Sequence, residues 1–450
     1  MAYNSGGNLP HENASKLGHL SVLQSSWVNS LVDDFESVEN IISETEKGHW
    51  SELKISKDVQ KFDSFWAVDG SYVEVKSGLS PKKEVAFVKT AIIAVDRADI
   101  EKLDQRYPHP LHLKDLMSNS AIQHATVFPL RNIKTSLGNN YDSIRNIVKD
   151  SMTNDSGGAF YETLKWLVYS KWSSEFTDSP KFQCPHCGMN ITGLIADSDS
   201  KMCEICKKEV FLTDIIGFHL DMQEDIAPLS VATSYMLVME HLMLFTSIRI
   251  LWDNSNKKLV SNTLFIKDGP LTLRSQFSKL VPYIRNFLQY AKDVRRPIHL
   301  IGQEKSGYFA DHLDRIANDV KPFNRGENLQ YSVLTHEYIR KEVYQTSDLE
   351  NEYGRRTNYG EKVFVKVEPN SYLVLNIPPG DYNSGEGYPT ANDLIGLERI
   401  LASLPGLISH RFTGALYPVE LANGISSMSN YPSAKIFERF IEDSLKSNNV

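Results

Sequence analysis

Residues 65–76, FWAVDGSYVEVK, decide how this chain is to be read. Phe65 to Val68 is an apolar run, Tyr72 to Lys76 alternates, and Asp69-Gly70-Ser71 stands between them. The pattern predicts a strand that ends at an acid, then a turn, then a second strand. Val85 to Val95, rich in Val, Ile and Phe, predicts a further strand, so two or three adjacent antiparallel strands are expected. Taken alone, Asp-Gly-Ser is most often no more than a turn.

Two later segments change the weight of Asp69. Residues 229–249 predict a helix apolar nearly all round, and Glu240 lies inside it with no polar face to hold it. A buried carboxylate needs a metal, a cation such as Arg249, or a raised pKa. Beyond it, Leu264 to Lys267 predicts a strand closed by Asp268-Gly269-Pro270-Leu271. Arg249 to Trp252 and Ser261 to Lys267 flank a polar DNSN and read as a hairpin. Thr272 to Val294 reads as an amphipathic helix, Pro297 to Gly302 as a strand and Tyr308 to Val320 as a helix. Strand, helix, strand at this spacing is a βαβ unit, so this part of the sheet should be parallel. Strands at 361–367 and 372–377 and helices at 391–404 and 434–445 complete the C-terminal part, and residues 17–60 read as helix.

The intervening region, 101–225, is polar and carries all four cysteines. Cys184-Pro185-His186-Cys187 and Cys203-Glu204-Ile205-Cys206 each hold two residues between the sulfurs, and fifteen residues separate the pairs. That is the spacing of a zinc ribbon: each pair forms a knuckle, and four thiolates close a tetrahedral Zn²⁺ site with no open position for catalysis. The expected organisation is a helical segment over 1–60, a first sheet part over 61–100, an insertion over 101–225 with its ribbon at 181–212, and the rest of the sheet over 226–450.

Composition bounds the function. Lys and Arg total 48 against 56 Asp and Glu, a net charge of −8, so nucleic-acid binding would need a local patch rather than bulk charge. The start, MAYNSGGNLP, has neither a basic nor an apolar export region, and paired rather than scattered cysteines fit a reduced compartment; a cytoplasmic protein without a membrane span is expected.

An acid on a first strand, an acid on the next core helix and an acid closing the strand after it form the layout of a ribonuclease-H-like sheet. The expected fold is therefore α/β: a ribonuclease-H-like mixed sheet flanked by helices, with an inserted helical and zinc-ribbon module. Carboxylates at Asp69, Glu240 and Asp268 would hold one or two Mg²⁺ or Mn²⁺ ions, hard cations suited to oxygen ligands and to phosphodiester hydrolysis.

At these residues the chain resembles the NurA family of nucleases. The resemblance is carried by Asp69-Gly70-Ser71, Glu240, Asp268-Gly269-Pro270-Leu271, Gly302-Gln303-Glu304-Lys305 and Tyr417-Pro418, and covers roughly residues 60–95, 229–310 and 405–430. It implies a metal-dependent DNA nuclease, a homodimer working with a HerA-type hexameric ATPase in DNA end processing or phage defence. It makes Asp69, Glu240 and Asp268 metal ligands and gives Lys305 and Tyr417 catalytic places. The family's fourth ligand follows the Tyr-Pro element; here the nearest match is Asn423, with Glu420 or His410 as substitutes. Arg295-Arg296 and Arg355-Arg356, the latter flanked by Tyr353 and Tyr359, are candidate phosphate contacts. Two other readings are a catalytically weak adaptor subunit of such a motor and a Piwi-like guide-binding module.

Overall fold

The computed structural model describes residues 22–35, 45–54, 59–78, 80–102, 121–222, 229–317, 328–346, 352–368, 371–409, 414–428 and 433–447. Residues up to Ser43 form a unit of their own. It contains helix α1 (Ser26–Asp33), capped by the Ser25 hydroxyl, which accepts from the Val28 N–H at 3.4 Å.

The larger unit is built on one nine-stranded mixed sheet. In chain order the strands are β1 (Ser51–Lys54), β2 (Ser64–Lys76), β3 (Glu84–Asp96), β4 (Ala121–Arg131), four short ribbon strands β5–β8, then β9 (Thr263–Asp268), β10 (His299–Glu304), β11 (Asn328–Val333), β12 (Glu361–Glu368) and β13 (Ser371–Ile377). They lie in the order β1-β11-β12-β13-β10-β9-β2-β3-β4. Among the described strands, only β2–β9 and β9–β10 pair in parallel. The longer helices among the described residues are α2 (Asn140–Asn154), α3 (Ala159–Val168), α4 (Leu229–Asp253), α5 (Val281–Asp293), α6 (Tyr308–Ile316), α7 (Leu397–Ser403), α8 (Tyr417–Ser426) and α9 (Ser433–Ser447).

Alternation along the central strands assigns each side chain to a face. Val68 and Phe265 join the core made with α2 to α5; Ala67, Leu264 and Ile266 join a second core made with α7 and α8. The sheet is thus covered by helices on both sides, which is why its central strands are apolar throughout. Helix α4 is long and apolar enough to cross a membrane, yet 83% of its most apolar window is buried inside the protein, as a core helix requires.

Four expectations are corrected. Residues 17–60 are not one helix: Ser51–Lys54 is strand β1, because pairing with β11 (Leu53 opposite Leu329) outweighs local helix preference. Asp69-Gly70-Ser71 is not a turn but the middle of a 13-residue strand, held in the ladder by β3 with Gly70 opposite Thr90. The insertion does not start at 101, since β4 adds a third antiparallel strand against β3. Arg249 to Lys267 is not a hairpin: α4 continues to Asp253, with Trp252 packed edge-on against Phe287, and a helical turn at Lys258–Ser261 leads into β9. The parallel βαβ unit and the strands Glu361–Glu368 and Ser371–Ile377 stand where the sequence puts them.

Candidate functional site

Strand β9 stops at Asp268 while its parallel neighbour β2 runs on, the last paired residues being Val68 and Lys267. Asp69 and Asp268 therefore stand level where the parallel pairing stops, Asp268 at the carboxyl end of β9 and Asp69 midway along β2, next to where open α/β sheets place their ligand crevice. By alternation both belong to the α8 face. Asp69 is only 5% exposed, and it accepts from the Gly70 N–H at 2.7 Å, the Asn423 amide at 2.8 Å and the Ser426 hydroxyl at 3.0 Å. Asn423 and Ser426 sit three apart on α8, so one helix face presents both donors. Burial, and then the negative charge of Asp268, push the Asp69 carboxyl above its ordinary value. Among the described residues no ion pair reaches Asp69. Asp268 does have one, to the Lys305 ammonium at 3.0 Å.

Glu240 approaches from the opposite face. It is 4% exposed on α4, and its carboxylate reaches the sheet at Gly70, where a Cβ would lie 2.8 Å from Glu240 Oε1 and 2.7 Å from Met236 Cγ. Only glycine admits that approach. The buried carboxylate has a cation after all, but it is Lys267 rather than Arg249. Lys267 Nζ lies 2.6 Å from Glu240 Oε2 and also donates to the Asp268 carbonyl at 2.6 Å. Arg249 instead donates to the Thr163 hydroxyl and the Ala159 carbonyl. Burial pushes the Glu240 carboxyl up to about 7 despite the ammonium beside it.

The loop before α8 is fixed by Gln303 on β10. Its amide donates to the Gly414 carbonyl at 2.5 Å and accepts from the Leu416 N–H at 3.1 Å. Lys89 on β3 and Ser71 on β2 donate to the Ile425 and Ser426 carbonyls at the other end of the helix, at 2.6 and 2.5 Å. Tyr417 is fully buried in the second core and seats the start of α8. Glu420 is bonded by the Ser409 hydroxyl at 2.7 Å, and His410 lies outside the described residues. Arg296 stacks 3.8 Å over the Trp252 ring and donates to the Trp252 carbonyl, so it packs rather than offering itself to phosphate. Arg355 pairs with Glu352 at the surface, Tyr359 is buried against His241, and Tyr353 lines a cleft with Tyr308, Phe309 and Tyr344 beyond Pro270.

Sequence reasoning found Asp69, Glu240, Asp268, Lys305 and Asn423, which the fold brings together around the carboxyl end of β9 and the middle of β2. It missed Lys267, Ser426 and Gln303. A signal for Lys267 was present: a lone lysine inside the apolar strand TLFIKD is as much in need of a partner as Glu240 is inside its helix. The three carboxylates are not gathered as tightly as the cysteines. Among the described residues, the cysteine set alone has three or more potential ligand atoms all within 4.8 Å of one another.

That second site is the ribbon. Hairpins β5–β6 (Phe182–Gln183, Asn190–Ile191) and β7–β8 (Ser200–Met202, Glu209–Phe211) carry the two knuckles. Cys184 and Cys206 sulfurs are 3.8 Å apart and Cys187 and Cys203 3.9 Å, with no disulfide. Tetrahedral thiolates about 2.3 Å from Zn²⁺ would be separated by about 3.8 Å, so the set can hold such an ion. Backbone N–H groups of His186 and Ile205 point at Cys184 and Cys203 sulfurs, 3.4 Å away, and stabilise thiolate charge. The ribbon is no appendage: Cys184, Cys203, Ile191 and Val210 belong to the α4 core, and the buried Arg145–Asp214 pair at 2.7 Å ties α2 to the segment after β8. A scan against models of known protein families finds no match for this chain, and a search of curated proteins finds none either.

Proposed function

We propose that the chain is a metal-dependent DNA nuclease of NurA type on a ribonuclease-H-like sheet. One observation carries the reading: a buried Asp69, hydrogen-bonded but without a counter-cation among the described residues, beside Asp268 where the parallel pairing of β2 and β9 stops. A buried carboxylate held above its ordinary value by burial and by a neighbouring acid is a gap that a divalent ion fills. The strand order β4-β3-β2-β9-β10, with β3 antiparallel to β2 and β9 and β10 parallel to it, agrees with a ribonuclease-H-like sheet.

Asp69 and Asp268 would hold Mn²⁺ or Mg²⁺, which when bound supplies Lewis acidity toward a phosphate oxygen and an acidified water. The protein's own part is positioning. Asn423, Ser426 and the Gly70 N–H fix the Asp69 carboxylate. Lys305, about a third exposed beside Asp268, offers an ammonium to the scissile phosphate. Zn²⁺ at Cys184, Cys187, Cys203 and Cys206 would be structural. On the resemblance alone, the partners are DNA, a second copy of the chain and a HerA-type hexameric ATPase, in the cytoplasm. A second reading, a catalytically weak adaptor on that motor, is favoured by Asn423, whose neutral amide stands where a fourth ligand is expected.

Labelled single- and double-stranded DNA, incubated with Mn²⁺, Mg²⁺ or EDTA, with and without the ATPase, tests this. Cleavage should need the divalent ion and vanish in Asp69→Asn and Asp268→Asn; both should stay folded, because at Asp69 an amide is easier to bury than an unpaired carboxylate and at Asp268 only a partly exposed ion pair with Lys305 is lost. Full Mn²⁺-dependent cleavage by either variant refutes the placement. Metal-independent inactivity in the intact complex favours the adaptor.

A further inference from the structure

The acid constellation contains three carboxylates, but they are not electrostatically equivalent. Asp69 and Asp268 belong to the α8 face of the sheet, and Asp69 has no cation among the described residues. Glu240 comes through from the α4 face at Gly70 and meets Lys267 Nζ at 2.6 Å, both side chains almost wholly buried. Lys267 has little freedom to leave. It is 1% exposed, its strand neighbours Phe265 and Ile266 are fully buried, and its ammonium is held from above by the Asp268 carbonyl at 2.6 Å. Swinging away would carry an ammonium into the apolar core of α4, which is far costlier than staying beside a carboxylate.

We infer that the Lys267 ammonium is a resident cation of this site: it takes Glu240 out of the ligand set, so that the centre binds one divalent ion, on Asp69 and Asp268, rather than two. The inference rests on the reading of those aspartates as ligands, and it makes Lys267 the partner of Glu240 rather than a part of the metal site. The ammonium supplies fixed positive charge beside Glu240 on the α4 face of the sheet, so that this carboxylate needs no second divalent ion.

Mn²⁺ binding to the zinc-loaded full chain, measured by calorimetry and by the electron paramagnetic resonance of free Mn²⁺, tests this without DNA. Wild-type protein should bind one Mn²⁺ per chain, and Asp69→Asn should weaken that binding at least tenfold. Glu240→Gln should leave the stoichiometry at one and the affinity within about threefold. Because that variant strands an ammonium and can lose structure, the double variant Glu240→Gln/Lys267→Met removes both charges and should bind Mn²⁺ as the wild type does, with a native circular dichroism spectrum. Two Mn²⁺ per wild-type chain, none at all, or a tenfold loss of affinity in the folded double variant would overturn the inference. Cleavage enters none of these readouts, so a protein that binds one Mn²⁺ as described but cuts no DNA would fail the nuclease reading and leave this one standing.

Discussion

Replacing Gly70 by alanine asks a single methyl group to occupy the place where Glu240 meets the sheet. Gly70 lies within strand β2, opposite Thr90, so an alanine costs nothing in backbone conformation and would normally gain a few tenths of a kcal/mol in a strand. The space is what fails. The new Cβ would stand 2.7 Å from Met236 Cγ, 2.8 Å from Glu240 Oε1 and 3.1 Å from Thr90 Cγ2. Carbon contacts settle at about 3.5–4.0 Å, so the methyl overlaps the Met236 side chain by roughly 0.8 Å. Shifting Met236 alone is an overpacking cost of about 1–3 kcal/mol. If Glu240 is also levered off Lys267, the loss approaches the roughly 3–5 kcal/mol of a broken buried pair. Gly70→Ala should therefore lose about 2–4 kcal/mol in urea unfolding. Gly406→Ala, where a Cβ would meet nothing within 4 Å, should be neutral or slightly stabilising as the control. A Gly70→Ala protein as stable as wild type would refute the close approach of Glu240 to the sheet.

Other consequences can be checked separately. Purified protein should contain one zinc per chain that survives EDTA dialysis, and Cys184→Ser should lower solubility or unfolding midpoint by the equivalent of several kcal/mol, since Cys184 is part of the main core. His299, buried between Phe62 and Gly396, is pushed down to about 4, first by burial and then by the Arg399 charge. It stays neutral when folded, so the unfolded chain takes up the extra proton: stability is full above pH 6.5 and falls with pH, by about 2 kcal/mol at pH 5, a slope that His299→Gln should remove in urea titrations. Gln303→Leu strands the Gly414 carbonyl and the Leu416 N–H; it should cost about 2 kcal/mol and weaken Mn²⁺ binding by loosening α8 beneath Asp69.

Several parts of the fold were legible because a local pattern carried them. The long, mostly apolar run of α4, the apolar strands β12 and β13 and the paired CxxC motifs each need only a short window. The misreadings arose where a distant partner decides the matter. SELK is a strand because β11 lies beside it, and Asp-Gly-Ser stays extended because β3 pairs along its whole length. Site legibility followed the same division. Glu240 announced itself as an acid with no polar face, whereas its partner was sought nearby at Arg249 although the fold supplies Lys267 from another strand. Ser426 carried no signal of its own; it matters only because it shares a helix face with Asn423.

The hydrogen bonds from Asn423 and Ser426 to Asp69 span 354 and 357 residues of chain. Strand β2, made early, finds its parallel neighbour β9 only after almost two hundred further residues have been added. Closing loops of that size is slow, and the middle of the sheet must therefore be among the last things to assemble. A chain still emerging from the ribosome, or one cut short before α8, would present Asp69 and Asp268 without the side chains that orient them. Until α8 is in place, the Asp69 carboxylate lacks two of its three hydrogen-bond donors.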